Sequence, residues 1–360
     1  MSRPFTVGIH IDGAGSHPAA WRDAGGDPLQ FLGAAHARSV LARTEQAGLA
    51  YATLAGSHLP PATAPGLPAR IDAVQFAAFG GPATGRLGLV PEVPVTYVEP
   101  FHTATQLASV DHAATGRSGW LVSTENSPEA ARQYGREALD AAALAEETAD
   151  VVRVVRRLLD SWEDDAVIRD LPTGRYIDRT KLHYVDFTGR EFTVKGPAIT
   201  PRPPQGQVPV FAHADAASGV DVDVVLVPAG EGLAERAEAA RATGASVVVA
   251  DLEILLDGRG ERAVARAARL DELAPWEPGA TRRLVGTAAE LVDVIHELAT
   301  HVDGVRLVPA SLAQDLDELR FAVLPALADA GLLATDPHPT LRGALGLPRA
   351  ENAFAAAGRN

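Results

Sequence analysis

Two stretches place a histidine and an aspartate two residues apart, His10-x-Asp12 in "VGIHIDGAG" and His213-x-Asp215 in "VPVFAHADAASG". In an extended chain, alternate side chains share a face, so each pair can aim an imidazole and a carboxylate in one direction. That is the donor set of a divalent metal, or of an acid–base pair. The later strand ends offer only Asp251 and Asp303, and no strand carries two closely spaced histidines. Polar lining of a barrel mouth is therefore the simpler expectation, and no metal is expected. With no cysteine in the chain, thiolate metal sites, iron–sulfur clusters, disulfides and a cysteine nucleophile are excluded. Neither a G-x-S-x-G elbow nor a P-loop is present. "GRGERA" (258–263) has dinucleotide spacing, but follows a doubtful strand run, "EILL", and reads as a solvent loop. "GAGSH" (13–17) is a loop at the end of the first strand run, where barrel chemistry sits. The side chains expected to act in a pocket are His17, His102 and His213, with Trp21, Trp120 and Trp162 as walls and His112 as a packed residue.

Short apolar runs must position these groups. Strands are expected at 5–11, 51–55, 86–90, 119–123, 208–212, 222–227, 246–250 and 304–308. Helical spacing falls at 29–47, 71–79, 101–114, 233–243 and 288–301; the second of these should stop at Gly80-Gly81-Pro82. Eight short strands, several with helices between them, favour a (β/α)8 TIM barrel over an open sheet. The alternation breaks once, after a long helical stretch at 138–160. Residues 161–207 form an insertion between strands four and five, with a hairpin signal at 182–194, and read as a lid or wall within one domain spanning 1–360.

With 360 residues, 46% of them hydrophobic, the chain can bury a sizeable core. The net charge of −14 and the absence of a Lys/Arg cluster argue against a nucleic-acid partner. No leader and no membrane-length apolar run is visible, so a cytoplasmic protein is expected.

Several blocks together resemble one family: "GSHPAAWRDAGGD" (15–27), "TYVEPFHTATQLASVDHAATGRSGW" (96–120), "SWEDDAVIRD" (161–170), "DRTKLHYVDFTGREFTVKGPAITPRPPQGQVPV" (178–210), "LVGTAAELVD" (284–293) and "TLRGALGLPRAEN" (340–352). They are similar to the bacterial-luciferase-like monooxygenases, in the branch of nitrilotriacetate, dibenzothiophene-sulfone and long-chain-alkane monooxygenases. The resemblance implies a barrel with an insertion, and a two-component monooxygenase that oxidises a small organic substrate with O2. It implies reduced FMN supplied by a separate flavin reductase, and a homodimer or larger homo-oligomer.

The resemblance also marks cofactor positions. Gly56 stands where the family has an aspartate after strand two, Thr96 keeps a hydroxyl at strand three, and Leu121 replaces the asparagine that faces the flavin ring. Ser123 follows on the same strand, and Tyr134 keeps the aromatic beside the phosphate. Ala214, Asp215 and Ser218 form the phosphate wall after strand five, where the usual helix looks shortened or missing. Asp215 would repel a phosphate by about 3 kcal/mol per charge pair at ~5 Å and an effective dielectric near 20. Two alternatives follow from these substitutions: a relative that has lost flavin chemistry and serves as a partner subunit, or a deazaflavin-dependent oxidoreductase.

Overall fold

The computed structural model describes all residues except 1–3, 24, 26, 61–66, 68, 259, 334–337 and 358–360. Eight parallel strands close on themselves: β1 (Thr6–Ile11), β2 (Tyr51–Leu54), β3 (Gly88–Pro94), β4 (Trp120–Ser123), β5 (Val210–His213), β6 (Val224–Pro228), β7 (Val247–Leu256) and β8 (Gly304–Pro309). Each pairs with the next, except that β7 pairs with both β6 and β8, and β8 returns to β1. This is the expected (β/α)8 barrel.

Two details differ from the sequence reading. The run "EILL" is the upper half of β7, which is ten residues long. Beside it lies an additional strand, Arg283–Gly286, paired to Glu253–Leu256 above the end of β6. Its four half-buried residues carry too little apolar signal to be found by periodicity. The loop 258–261 that follows β7 closes on itself through paired Gly258 and Glu261 backbone bonds; Arg259 lies outside the described residues.

Helix α1 (Ala34–Ala47) follows β1 and ends at the left-handed Gly48. Helix α2 (Ala73–Ala83) passes through the expected stop at Gly80-Gly81-Pro82. Those glycines are contact surface, because a Cβ on Gly81 would lie 2.9 Å from the backbone of Ala113 and Ala114. The buried Arg117 guanidinium takes the carbonyls of Gly81, Thr84 and Leu87, capping the helix end. Helix α3 (Pro100–Ala113) follows β3, and α4 (Ala141–Asp160) follows β4. No helix lies between β5 and β6 among the described residues; turns span 214–220 instead.

The insertion 161–207 begins at the bottom of the barrel, because α4 runs downward from the mouth. It carries two small hairpins, Val167–Asp170 with Arg175–Ile177 and Phe187–Thr188 with Thr193–Val194. Val185, Phe187 and Val194 pack on the apolar face of α4, and Arg136–Glu191 and Arg190–Glu146 ion pairs tie the second hairpin beside the mouth. These contacts lay the second hairpin along α4. The segment 340–352 plugs the bottom of the barrel: Leu341, Leu345 and Leu347 pack beneath Tyr51, Val90, Leu121 and Phe211. No helix among the described residues is long and apolar enough to cross a membrane.

Candidate active site

Inside the barrel, an apolar layer of Tyr51, Val90, Leu121, Phe211, Val224, Leu226, Val247 and Val249 fills the lower half. Gly8 makes room for it, since a Cβ there would lie 2.3 Å from the Tyr51 ring. Two residues further up each strand, the same inward face turns polar. The upper layer is His10, Thr53, Glu92, Ser123, His213, Asp251 and Arg306, one from every strand but β6.

Arg306 organises this layer. It is buried and gives Nε to Asp251 Oδ1 at 2.7 Å and Nη2 to Asp251 Oδ2 at 2.8 Å. Its Nη1 donates to Thr53 Oγ1 at 3.2 Å, and Thr53 Oγ1 lies 3.0 Å from His10 Nδ1. Nη2 also reaches His213 Nε2 at 3.4 Å. Burial, then the Arg306 charge, hold both imidazoles below the ordinary range, His10 at about 3. Burial raises the Glu92 carboxyl, whose Oε2 accepts the Gly56 N–H at 3.4 Å.

Two clefts open at the mouth. The larger, about 740 Å3, runs over β2 and β3 and is walled by Val74, Val93, Pro94, Tyr97, Val98 and Tyr134. The smaller, about 230 Å3, lies over β1 among Ile11, Trp21, Phe31, Leu67 and Phe76. They share Ala69, Arg70 and Ile71, and Arg70 pairs with Asp12 at 3.0 Å. In the larger cleft, Tyr134 Oη and His58 Nδ1 are 3.0 Å apart. Burial raises the Tyr134 phenol. With Nδ1 facing the phenol, His58 Nε2 is buried without a hydrogen-bond partner. Tyr97 has a left-handed backbone, φ 66°, which costs a non-glycine residue about 1–2 kcal/mol. Its N–H donates to Glu147 Oε1 at 3.0 Å, its hydroxyl donates to Asn126 at 2.5 Å, and Arg136 lies over its ring.

Gly56, His102 and Tyr134 all line the larger cleft. Ser123 and His213 belong to the polar layer below it. Thr96 is fully buried, and its Oγ1 accepts the Glu125 N–H at 3.2 Å; Glu125 in turn holds Ser57 Oγ and the His58 N–H. The remaining residues stand apart. Leu121 is enclosed in the apolar layer, which takes it out of reach of a ligand at the mouth. Ala214, Asp215 and Ser218 are exposed on the turn after β5 and line neither cleft, so the Asp215 carboxylate is solvated.

His17 lines the smaller cleft with both ring nitrogens engaged. Its Nδ1 accepts the Ala19 N–H at 3.0 Å, so Nε2 donates to Asp271 Oδ1, 3.2 Å away. Burial lowers this imidazole against the opposing pull of Asp271. His17→Ala is expected to cost roughly 1–3 kcal/mol in urea unfolding, because it strands the Ala19 donor.

For the metal reading, Asp12 is held by Arg70, and His10 and His213 by the Arg306 network. No group of three or more His, Asp or Glu among the described residues is disposed to hold a metal ion. The residues missed by sequence reasoning are Glu92, Tyr97, His58, Arg70 and Arg306.

The model of the luciferase-like monooxygenase family matches residues 14–241. N-acetyl-S-(2-succino)cysteine monooxygenase of Bacillus subtilis (strain 168) is 33% identical over 216 residues, 59% of this chain and 48% of that protein. Nitrilotriacetate monooxygenase component A of Aminobacter aminovorans is 42% identical over 135 residues, 36% of this chain and 29% of that protein. The chain thus spans less than half the length of these two relatives. The crystal structure of riboflavin lyase (RcaE), with modified FMN and riboflavin, shares the fold at a TM-score of 0.83, 24% identity and 95% coverage of both chains. The chain belongs to the luciferase-like monooxygenase family, among relatives that include nitrilotriacetate, dibenzothiophene-sulfone and long-chain alkane monooxygenases.

Proposed function

We propose that this chain is a two-component monooxygenase that takes reduced FMN from a separate reductase and oxidises a small organic substrate with O2. The observation that carries the reading is the larger cleft, where the buried His58 Nε2 lacks a partner. Its volume of about 740 Å3 is that of a cofactor site. An unpaired buried polar atom costs roughly 1–3 kcal/mol, which a hydrogen-bonding oxygen or nitrogen of a bound ring would relieve. Tyr97 and Tyr134 would flank the cofactor, His58 would hydrogen-bond to it, and Arg70 is the cation at the rim. When bound, reduced FMN supplies the oxygen activation. The chain's own part is to hold the ring against an apolar wall, exclude water and orient the substrate. In this reading the smaller cleft, separated only by Ala69–Ile71, takes part of the substrate. The enzyme would work in the cytoplasm, as a homodimer.

Anaerobic titration of the purified chain with reduced FMN tests this. Binding in the micromolar range or tighter is expected, and His58→Ala should weaken it roughly tenfold, the value of one hydrogen bond. No binding at tens of micromolar would refute it and favour the partner-subunit reading, which the replacement of aspartate by Gly56 also supports.

A further inference from the structure

We infer that Arg306 is the positioning residue of the barrel mouth: it fixes His213 in the tautomer protonated on Nδ1 and, through Thr53, ties His10 into the same network. The inference goes beyond the proposed monooxygenase activity, and its test needs no flavin.

The argument starts from donors. A guanidinium has N–H groups only, so whatever Arg306 touches must accept. Nη2 lies 3.4 Å from His213 Nε2, which therefore presents its lone pair. The ring proton then sits on Nδ1, 3.5 Å from Asp251 Oδ2. Asp251 thus braces both groups, with one oxygen on Arg306 Nε and the other shared between Nη2 and the imidazole side. Thr53 extends the chain to His10: its oxygen accepts from Arg306 Nη1 and meets His10 Nδ1.

The surrounding charges act in the same sense. His10, on β1, faces Arg306 from β8, Asp251 from β7, His213 from β5 and Arg70 from the segment after β2. His213 faces Arg306, Asp251 and Asp215 of its own turn. A proton on His213 Nε2 would break the bond to Arg306 and set two cations against each other. A proton on His10 would add a cation beside Arg306 and Arg70, with Asp251 already committed. Burial opposes both. The layer therefore sets two imidazoles, both with the neutral form favoured, over a charge-balanced ion pair.

The test is two-bond 15N–1H correlation on the full chain labelled with 15N-histidine, between pH 5 and 8. His10→Gln and His213→Gln spectra assign the two signals. In the native chain, His213 is expected as the Nδ1–H tautomer. In Arg306→Met combined with Asp251→Leu, which removes both charges together, His213 is expected to shift to a majority of the Nε2–H form common in water. Nε2–H on His213 in the native chain would overturn the inference. So would an unchanged tautomer in the folded double variant. If that variant does not fold, the native tautomer still decides.

Discussion

Gly56→Asp, which restores the residue the family resemblance calls for, is expected to destabilise the barrel by about 3 kcal/mol or more and to weaken flavin binding. A Cβ on Gly56 would lie 2.0 Å from the Glu92 carbonyl oxygen and 3.3 Å from the Ala73 Cβ. The first contact is strand backbone, which cannot swing aside as a side chain does. β2 and β3 are held in register just below, at Leu54 and Pro91, so relief means opening the barrel at its mouth. The new carboxylate would also stand beside Glu92, whose carboxyl is already raised by burial, and near Glu125, which holds Ser57 and the His58 N–H. Two like charges in one desolvated site add to the steric cost. Gly56→Ala separates the two effects: it keeps the clash and omits the charge. Urea unfolding and reduced-FMN titration of both variants check the expectation. An aspartate variant with native stability and tighter flavin binding would mean that the carboxylate is what this cleft lacks.

The same residue shows where sequence reading reached and where it stopped. The barrel was legible because each strand is a short apolar run, and the missing helix after β5 was legible because Ser218-Gly219 leads straight to the next run. The glycine pair in α2 read as a stop, since composition cannot distinguish a breaker from a contact surface. In the site, Gly56, His102 and Tyr134 do line the larger cleft, just past a strand end, in the first turn of a helix and at the C-cap of the short helix Pro128–Gln133. The polar layer was only partly read. His10 and His213 were noticed as pairs with aspartates two residues on, yet their real partners lie across the barrel on β2, β7 and β8. A signal for it existed: Tyr51 to Thr53, Val90 to Glu92, Leu121 to Ser123, Phe211 to His213 and Val249 to Asp251 all switch from apolar to polar in one two-residue step. Strand registers, which align these steps, are not in the sequence of any one strand.

The second large effect is expected at the Arg306–Asp251 pair, and it is non-additive. Asp251→Ala should cost about 3–5 kcal/mol in urea unfolding, because it leaves a guanidinium buried in the barrel without its carboxylate. Arg306→Met should cost a similar amount by stranding Asp251, with Thr53 Oγ1 and His213 Nε2 each losing a donor. The combination of Arg306→Met with Asp251→Leu removes both charges and fills much of the same volume, so it should lie within about 1–2 kcal/mol of the native chain. The coupling energy is then several kcal/mol, beyond the 0.5–3 kcal/mol typical of contacting pairs. Additive losses would mean that water reaches the pair and screens it. Strong coupling would mean that the layer is dry and that the ion pair serves placement more than stability, since two apolar residues hold the barrel nearly as well. A charged pair kept in a place where leucine and methionine would suffice for folding is then explained by what it orients, the two imidazoles above the apolar core.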